Sequence, residues 1–311
     1  MRCLPWFELS DPYVTSHVTI GDMFAHRSGL PAHAGDELED IGYDRREVLE
    51  RLRLMPLHSF RNVSAYTNFG FTAGAEAVAA AAGTDWETLA ETTIFKPLGM
   101  TSSSYRLDDF VNRENRAFGH VKIDGTWQPK FLRQPDPQAP AGGVSASVND
   151  FGKWLAMVME EGGDVVPKAA LLPATQSQMP NSTVPSPAAR PGLYGYGIGT
   201  GVDASGRVVL SHSGAFALGT GTNYMLLPLD HIAIGVLTNG SPVGAAESVS
   251  RTFMDMVEFG KPERDWYAAY APLFAPMIAP VGELVGKQPP SDPSGPGMDD
   301  QLLGTFESPY F

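Results

Sequence analysis

The residues from Gly192 onward constrain the fold more than any other part of the chain. Four short runs, "YGYGIGTGV", "GRVVLSHSG", "TNYMLLPL" and "HIAIGVLTN", are β-branched or aromatic and are separated by turn signals such as "DASG" and "PLD". That grammar predicts an antiparallel meander. The stretch that follows, "AAESVSRTFMDMVEF", predicts a helix packed on the resulting sheet.

Upstream the pattern is helical. Thr19 followed by Asp22 predicts a helix from Ile20 to "RSG", with Gly29 in the left-handed position. Asp44 with Glu47 opens a second helix, and "SAYTNFGF" leads into an alanine-rich one ending at Gly83. Thr84 with Glu87 caps "DWETLAETTIF", and Ser147 caps a helix closed by Gly162 and Gly163. Helices first, then strands with a covering helix, predict an α+β architecture. The expected division is an extended entry segment at 1–18, a mostly helical domain at 19–190 and a sheet with its C-terminal helix at 191–280. A Pro/Gly-rich linker follows at 281–299, and a further strand begins within 300–311.

Charge and composition narrow the partners. A formal charge of -13 over 311 residues has the wrong sign for a phosphate backbone, so no nucleic acid is expected. The longest apolar run, "AVAAAA" from Ala77 to Ala82, is far short of the roughly 20 residues of a membrane span, so none is expected. Cys3 is the only cysteine, which excludes an internal disulfide and a four-thiolate metal site. The histidines other than His212 (His17, His26, His33, His58, His120 and His231) show no metal-ligand spacing, and neither a metal nor a cofactor is expected. His26 reads as a helix C-terminal residue interacting with the dipole.

Tyr66-x-Asn68 taken alone is a tyrosine followed by a turn asparagine. It belongs, however, to an ordered series: "VTIGDMFAHRSGLP" before it, then "IFKPLGMTSSSY" and "PAGGVSASVNDFGKWL", and later "RVVLSHSGAFALGTGTNYMLLP" with His212-Ser213-Gly214-Ala215. From about Pro5 to Gly260 this series resembles the serine β-lactamase-like superfamily: class C β-lactamases, D-alanyl-D-alanine carboxypeptidases, D-aminopeptidases and esterases on the same scaffold. The resemblance implies a β-lactamase/transpeptidase-like fold, a helical domain against an antiparallel sheet, and covalent acyl transfer on a small-molecule acyl substrate.

In that family the chemistry rests on Ser-x-x-Lys, a Ser-x-Asn or Tyr-x-Asn, and a Lys-Thr-Gly or His-x-Gly. Here "YTN" matches the second motif and "HSG" the third. The resemblance therefore implies catalytic roles for Tyr66, Asn68 and His212, and substrate-binding roles for Ser213, Gly214 and Ala215. Tyr66 would shuttle a proton, its pKa set by a nearby lysine. Asn68 would donate to the acyl side chain. The Ala215 N–H, on an edge strand, would supply half of an oxyanion hole.

The first motif is missing. The seven lysines are Lys96, Lys122, Lys130, Lys153, Lys168, Lys261 and Lys287, and none has a serine three residues before it. In the family the nucleophile opens a helix preceding the segment that matches "LPWFELSDPYVTSHVTI", so the resemblance implies a chain lacking its N-terminal strands and nucleophile helix. It likewise implies that "LLGTFESPYF" starts a truncated β domain. Ser145 in "GVSAS" reads as a turn residue, since no strand precedes it to build a nucleophile elbow. Ser213 and His212 are adjacent on a strand, so they point to opposite faces and cannot form a dyad.

A histidine at position 212 is mostly neutral at pH 7, where a lysine would be a cation suited to a substrate carboxylate. This favours esters, amides or peptides over dedicated β-lactam hydrolysis. Two functions stay open: a serine hydrolase inactive as written, or a non-catalytic binding protein that keeps the groove. Loss of the nucleophile helix predicts exposed apolar surface near Ala77 and on the sheet face carrying Val209, Ile234 and Val236.

Overall fold

Short polar side chains set where the helices begin. In the computed structural model, which describes residues 3–182, 184, 186–293 and 303–311, Asp11 caps α1 (Pro12–His17) by accepting the Tyr13 and Val14 N–H groups. This helix corrects the expectation that 1–18 is extended: an aspartate N-cap followed by proline at the first helical position is itself a helix start. Thr19 and Asp22 form a capping box on α2 (Ile20–Phe24), which ends earlier than expected, although Gly29 does take a φ of 94°. After α3 (Asp36–Asp40), a second capping box of Asp44 and Glu47 opens α4 (Arg45–Arg51). Thr67 caps α5 (Asn68–Ala82), and Gly83 ends it in the left-handed region. Asp85, not Thr84, caps α6 (Trp86–Ala90), because its carboxylate accepts the Thr88 N–H at 2.7 Å.

Beyond α7 (Leu107–Val111) the chain departs from the helical expectation. β1 (Val121–Ile123) and β2 (Thr126–Gln128) form a hairpin turning at Asp124 and Gly125, both at positive φ. The Asp-Gly pair is a type I′ turn signal. α8 (Ala139–Gly142), α9 (Val148–Met159, capped by Ser147) and α10 (Lys168–Thr175) lead into the main sheet. Its strands are β3 (Met179–Pro180), β4 (Leu193–Tyr194), β5 (Gly199–Val202), β6 (Val208–Phe216), β7 (Thr220–Leu227) and β8 (Ile232–Thr238). They lie in sequence order with every neighbouring pair antiparallel, the meander expected. α11 (Ala245–Phe259) and α12 (Trp266–Phe274) follow.

Strand periodicity then divides the core. Leu210 and Leu226 face α9 with Leu155 and Val158, whereas Val209, Met225 and Leu227 face α11 with Met254. A third cluster joins Met23, Leu38, Leu49, Phe69 and Ala77 among the first five helices. The exposure expected at Ala77 and the sheet is thus not what the fold shows. Ala77 and Val209 are buried, Ile234 packs beside Met254, and Val236 is half-buried.

Residues 281–293 form neither helix nor strand, and 294–302 lie outside the described residues. The strand expected in 300–311 does not appear in 303–311. Instead Tyr310 packs on the cluster among the first five helices, and its hydroxyl accepts the Gly35 N–H at 3.2 Å. Among the described residues no helix is long and apolar enough to cross a membrane.

Candidate active site

The segment ahead of α5 is fixed by the loop that follows α2. His26 takes a left-handed φ of 53°, which turns its carbonyl to accept the Ala65 N–H at 3.0 Å. Its Nδ1 accepts the Thr67 N–H at 3.2 Å, and the Tyr66 carbonyl accepts the His33 N–H at 2.8 Å. Tyr66 is therefore bracketed on both sides by His26, with the two rings 4.4 Å apart. A non-glycine residue in this region is strained, and such strain gathers at functional positions. Asn68 is the first residue of α5, and among the described residues its amide has no hydrogen-bond partner.

The sheet brings the third motif to the same place. In β6, His212 pairs with Tyr224 of β7 and its ring lies 6.2 Å from that of Tyr66. The Tyr194 hydroxyl on β4 lies 3.0 Å from His212 Nε2, and the Tyr194 ring is 5.1 Å from His26. The second and third motifs thus meet where α2, α5 and the sheet converge. β6 is an interior strand, not an edge strand as expected, but its ladder with β5 stops at Gly199 opposite Ser211. From His212 to Phe216 it is paired only with β7. The Gly214 and Ala215 backbone lies in that half-open stretch, and a Cβ at Gly214 would fall 2.7 Å from Thr222 Oγ1.

Ser213 behaves differently from the expectation that it touches substrate. Its side chain alternates to the α11 face, where its hydroxyl donates to Glu247 Oε1. Ser145 bridges to Ser104, donating its N–H to the Ser104 carbonyl at 2.8 Å, so it is a structural residue. His26 is not a dipole cation. It is 4% exposed, and burial, aided by the neighbouring His212, pushes its pKa down to about 3.

Burial favours the neutral forms of the histidines and tyrosines that meet here. Burial lowers the pKa of His212, opposed by a hydrogen bond to the Ser213 backbone. Burial raises the phenols of Tyr194 and Tyr224 well above the usual tyrosine range. Tyr66 remains 38% exposed, and its phenol is raised by partial burial and by the Asp36 carboxylate. Among the described residues no lysine pairs with any of these groups. A phenol held neutral, without a cation to lower its pKa, is a hydrogen-bonding group and a poor base.

His26, Tyr194 and Tyr224 were not legible as site residues. Tyr194 lies in a strand run whose alternation does not separate it from Tyr196. His26 follows a predicted helix end, and only the φ reversal there turns its ring inward.

Comparison with known proteins bears on the family and the fold. The family model described as Beta-lactamase matches residues 2–254. The "Unguisins hydrolase ungD" of Aspergillus violaceofuscus is 28% identical over 163 residues, 49% of this chain and 29% of that protein. The chain spans less than half the length of the curated relatives it matches. Among solved structures, an octameric penicillin-binding protein homologue from Pyrococcus abyssi superposes with a TM-score of 0.67 at 21% identity, covering 84% of this chain and 62% of its own. A D-stereospecific amidohydrolase from Streptomyces sp. gives 0.63 at 16% identity, covering 84% and 82%. Since one family model accounts for most of the chain and the fold follows the same scaffold, this chain belongs to the Beta-lactamase family of hydrolases.

Proposed function

We propose that the chain carries the recognition half of a serine acyl-transfer site and binds small esters, amides or peptides without forming an acyl-enzyme. The observation behind this reading is that the Tyr66 and His212 rings meet at 6.2 Å while no Ser-x-x-Lys exists in the sequence. Tyr66 and Asn68 would hydrogen-bond the acyl group from the α5 side. His212, Gly214 and Ala215 would line the other wall, with backbone N–H groups on the strand edge. Neutral His212 offers no cation for a substrate carboxylate, which supports uncharged acyl compounds over β-lactam acids. The similarity to a protein named as a hydrolase of unguisins and to an amidohydrolase supports amides in particular.

The test is incubation with a fluorophosphonate and with a chromogenic cephalosporin, followed by intact mass. The expected result is unmodified protein, because a serine without its activating base is a poor nucleophile. A stoichiometric adduct on any serine overturns the proposal. The neutral, lysine-free character of the site also favours a second reading, a binding protein that uses the groove with no hydrolytic role. Restoring activity by adding the family's Ser-x-x-Lys segment would exclude it.

A further inference from the structure

A cavity of about 570 Å³ lies away from this site, between the π-helical turn at Glu91–Phe95, the loop after it, and α7 with the residues that follow. Its size falls in the range of small-molecule sites, and none of Tyr66, His26, Tyr194 or His212 lines it. Its charged groups are almost all matched. Glu87 pairs with Arg45 at 2.5 Å, Glu91 with Lys96 at 3.0 Å, and Arg106 with Asp85 at 3.0 Å. Asp109 accepts the Ser104 hydroxyl at 2.6 Å.

Arg113 is the exception. Among the described residues its guanidinium has neither an ion pair nor a hydrogen bond, and its Nε is shielded from solvent with no acceptor. Arg113 is half-buried and only its Nε is shielded, so an acceptor brought by a ligand would satisfy the one donor that water does not reach. One wall of the same cavity is apolar: Phe95 and Tyr105 stack with centroids 5.5 Å apart at 16°, beside Met100. Glu91 and Asp109 line the cavity too, and their carboxylates would repel a second negative charge on the ligand.

We infer that this cavity is a binding site for a monocarboxylate with a small aromatic or aliphatic body, the carboxylate on Arg113 and the body against Phe95 and Tyr105. Guanidinium and carboxylate match as a planar two-point pair, which a neutral amide cannot reproduce. The inference does not depend on the acyl-transfer reading.

The test uses phenylacetate as probe, with phenylacetamide as its uncharged isostere and phenylmalonate as a dianion, titrated into the full chain and followed by calorimetry. Saturable phenylacetate binding is expected, with the Arg113→Met variant about tenfold weaker or worse, both comparison compounds displacing phenylacetate about tenfold less well than phenylacetate itself, and Tyr66→Phe unchanged. If Arg113→Met does not fold, phenylglyoxal modification of the unaltered chain replaces it: peptide mass should show Arg113 modified, and protected by phenylacetate. Absence of saturable binding up to about 10 mM, displacement of phenylacetate by the amide as effective as by the acid, or loss of phenylacetate binding in Tyr66→Phe but not Arg113→Met overturns the assignment. So does modification of Arg113 that phenylacetate does not slow.

Discussion

His26 holds Tyr66 from both sides, its carbonyl on the Ala65 N–H at 3.0 Å and its Nδ1 on the Thr67 N–H at 3.2 Å. One residue outside the "YTN" and "HSG" motifs therefore fixes the backbone on either side of the tyrosine of "YTN". Because Nδ1 is an acceptor, the ring must stay neutral for the arrangement to hold.

That requirement makes stability depend on pH. The folded chain keeps His26 unprotonated down to about pH 3, whereas in the unfolded chain it binds a proton below about 6.5. Its contribution is full above 6.5 and declines as pH falls, by at most about 1.4 kcal/mol per pH unit. His212, also lowered by burial, adds to this trend. His33, raised by its hydrogen bond to Asp36, acts in the opposite sense, its contribution fading as pH rises. Asp22 and Asp203, each held at about 2, act only at lower pH. Denaturant midpoints measured from pH 7 to pH 5 should fall, and fall less steeply in His26→Asn, whose amide oxygen can still accept the Thr67 N–H. An equal slope in the two proteins would remove His26 from the account.

The elements that were legible are those set by local chemistry. Thr19, Asp44 and Ser147 cap where their sequence spacing places them, and the alternation of Val209 with Leu210 distributes β6 between two helices. Tyr66 and His212 were legible because each sits in a family motif. His26, Tyr194 and the Ser213–Glu247 contact were not, since each depends on which elements pack together. The hairpin at Asp124-Gly125 was a different case: its turn signal was present in "VKIDGTWQ" and was outweighed by the surrounding helical pattern.

Tyr194→Phe should cost about 1 kcal/mol, the usual worth of one hydrogen bond, because it removes the 3.0 Å contact to His212 Nε2. Among the described residues the Tyr224 hydroxyl has no such partner. Tyr224→Phe should therefore stay within about 0.5 kcal/mol of the parent. Comparing the two midpoints separates the hydrogen bond from the shared loss of a hydroxyl. Equal costs would mean that the Tyr194–His212 contact contributes nothing.

Asp22 is fully buried and binds Arg27 and Arg61, both at 2.8 Å, besides capping α2. Asp22→Asn should cost about 3–5 kcal/mol, since it removes the charge that balances two guanidinium groups and weakens the box with Thr19. The same pairing holds the Asp22 pKa at about 2, against burial, so its contribution is lost as pH falls from about 4 towards 2. A thermal midpoint close to that of the parent at pH 7 would show that the arginines are solvated without it.

Ser213 and Tyr66 should fail in opposite ways. The Ser213 hydroxyl donates to the carboxylate of Glu247, a residue that is 7% exposed. Ser213→Ala would leave that carboxylate short of a donor at a cost of about 1–3 kcal/mol in stability. It should leave ligand binding unchanged, because the side chain lies on the α11 face and not beside His212. Tyr66→Phe removes a hydroxyl from a ring that is 38% exposed, so stability should change by no more than about 0.5 kcal/mol. On the proposed reading it should weaken binding of a small neutral amide such as N-acetylphenylalaninamide by roughly three- to tenfold, the value of one hydrogen bond. Chemical denaturation reads the first quantity, and an NMR titration reads the second. If Ser213→Ala weakens the amide and Tyr66→Phe does not, substrate recognition lies with the third motif's serine, and Tyr66 belongs to the scaffold.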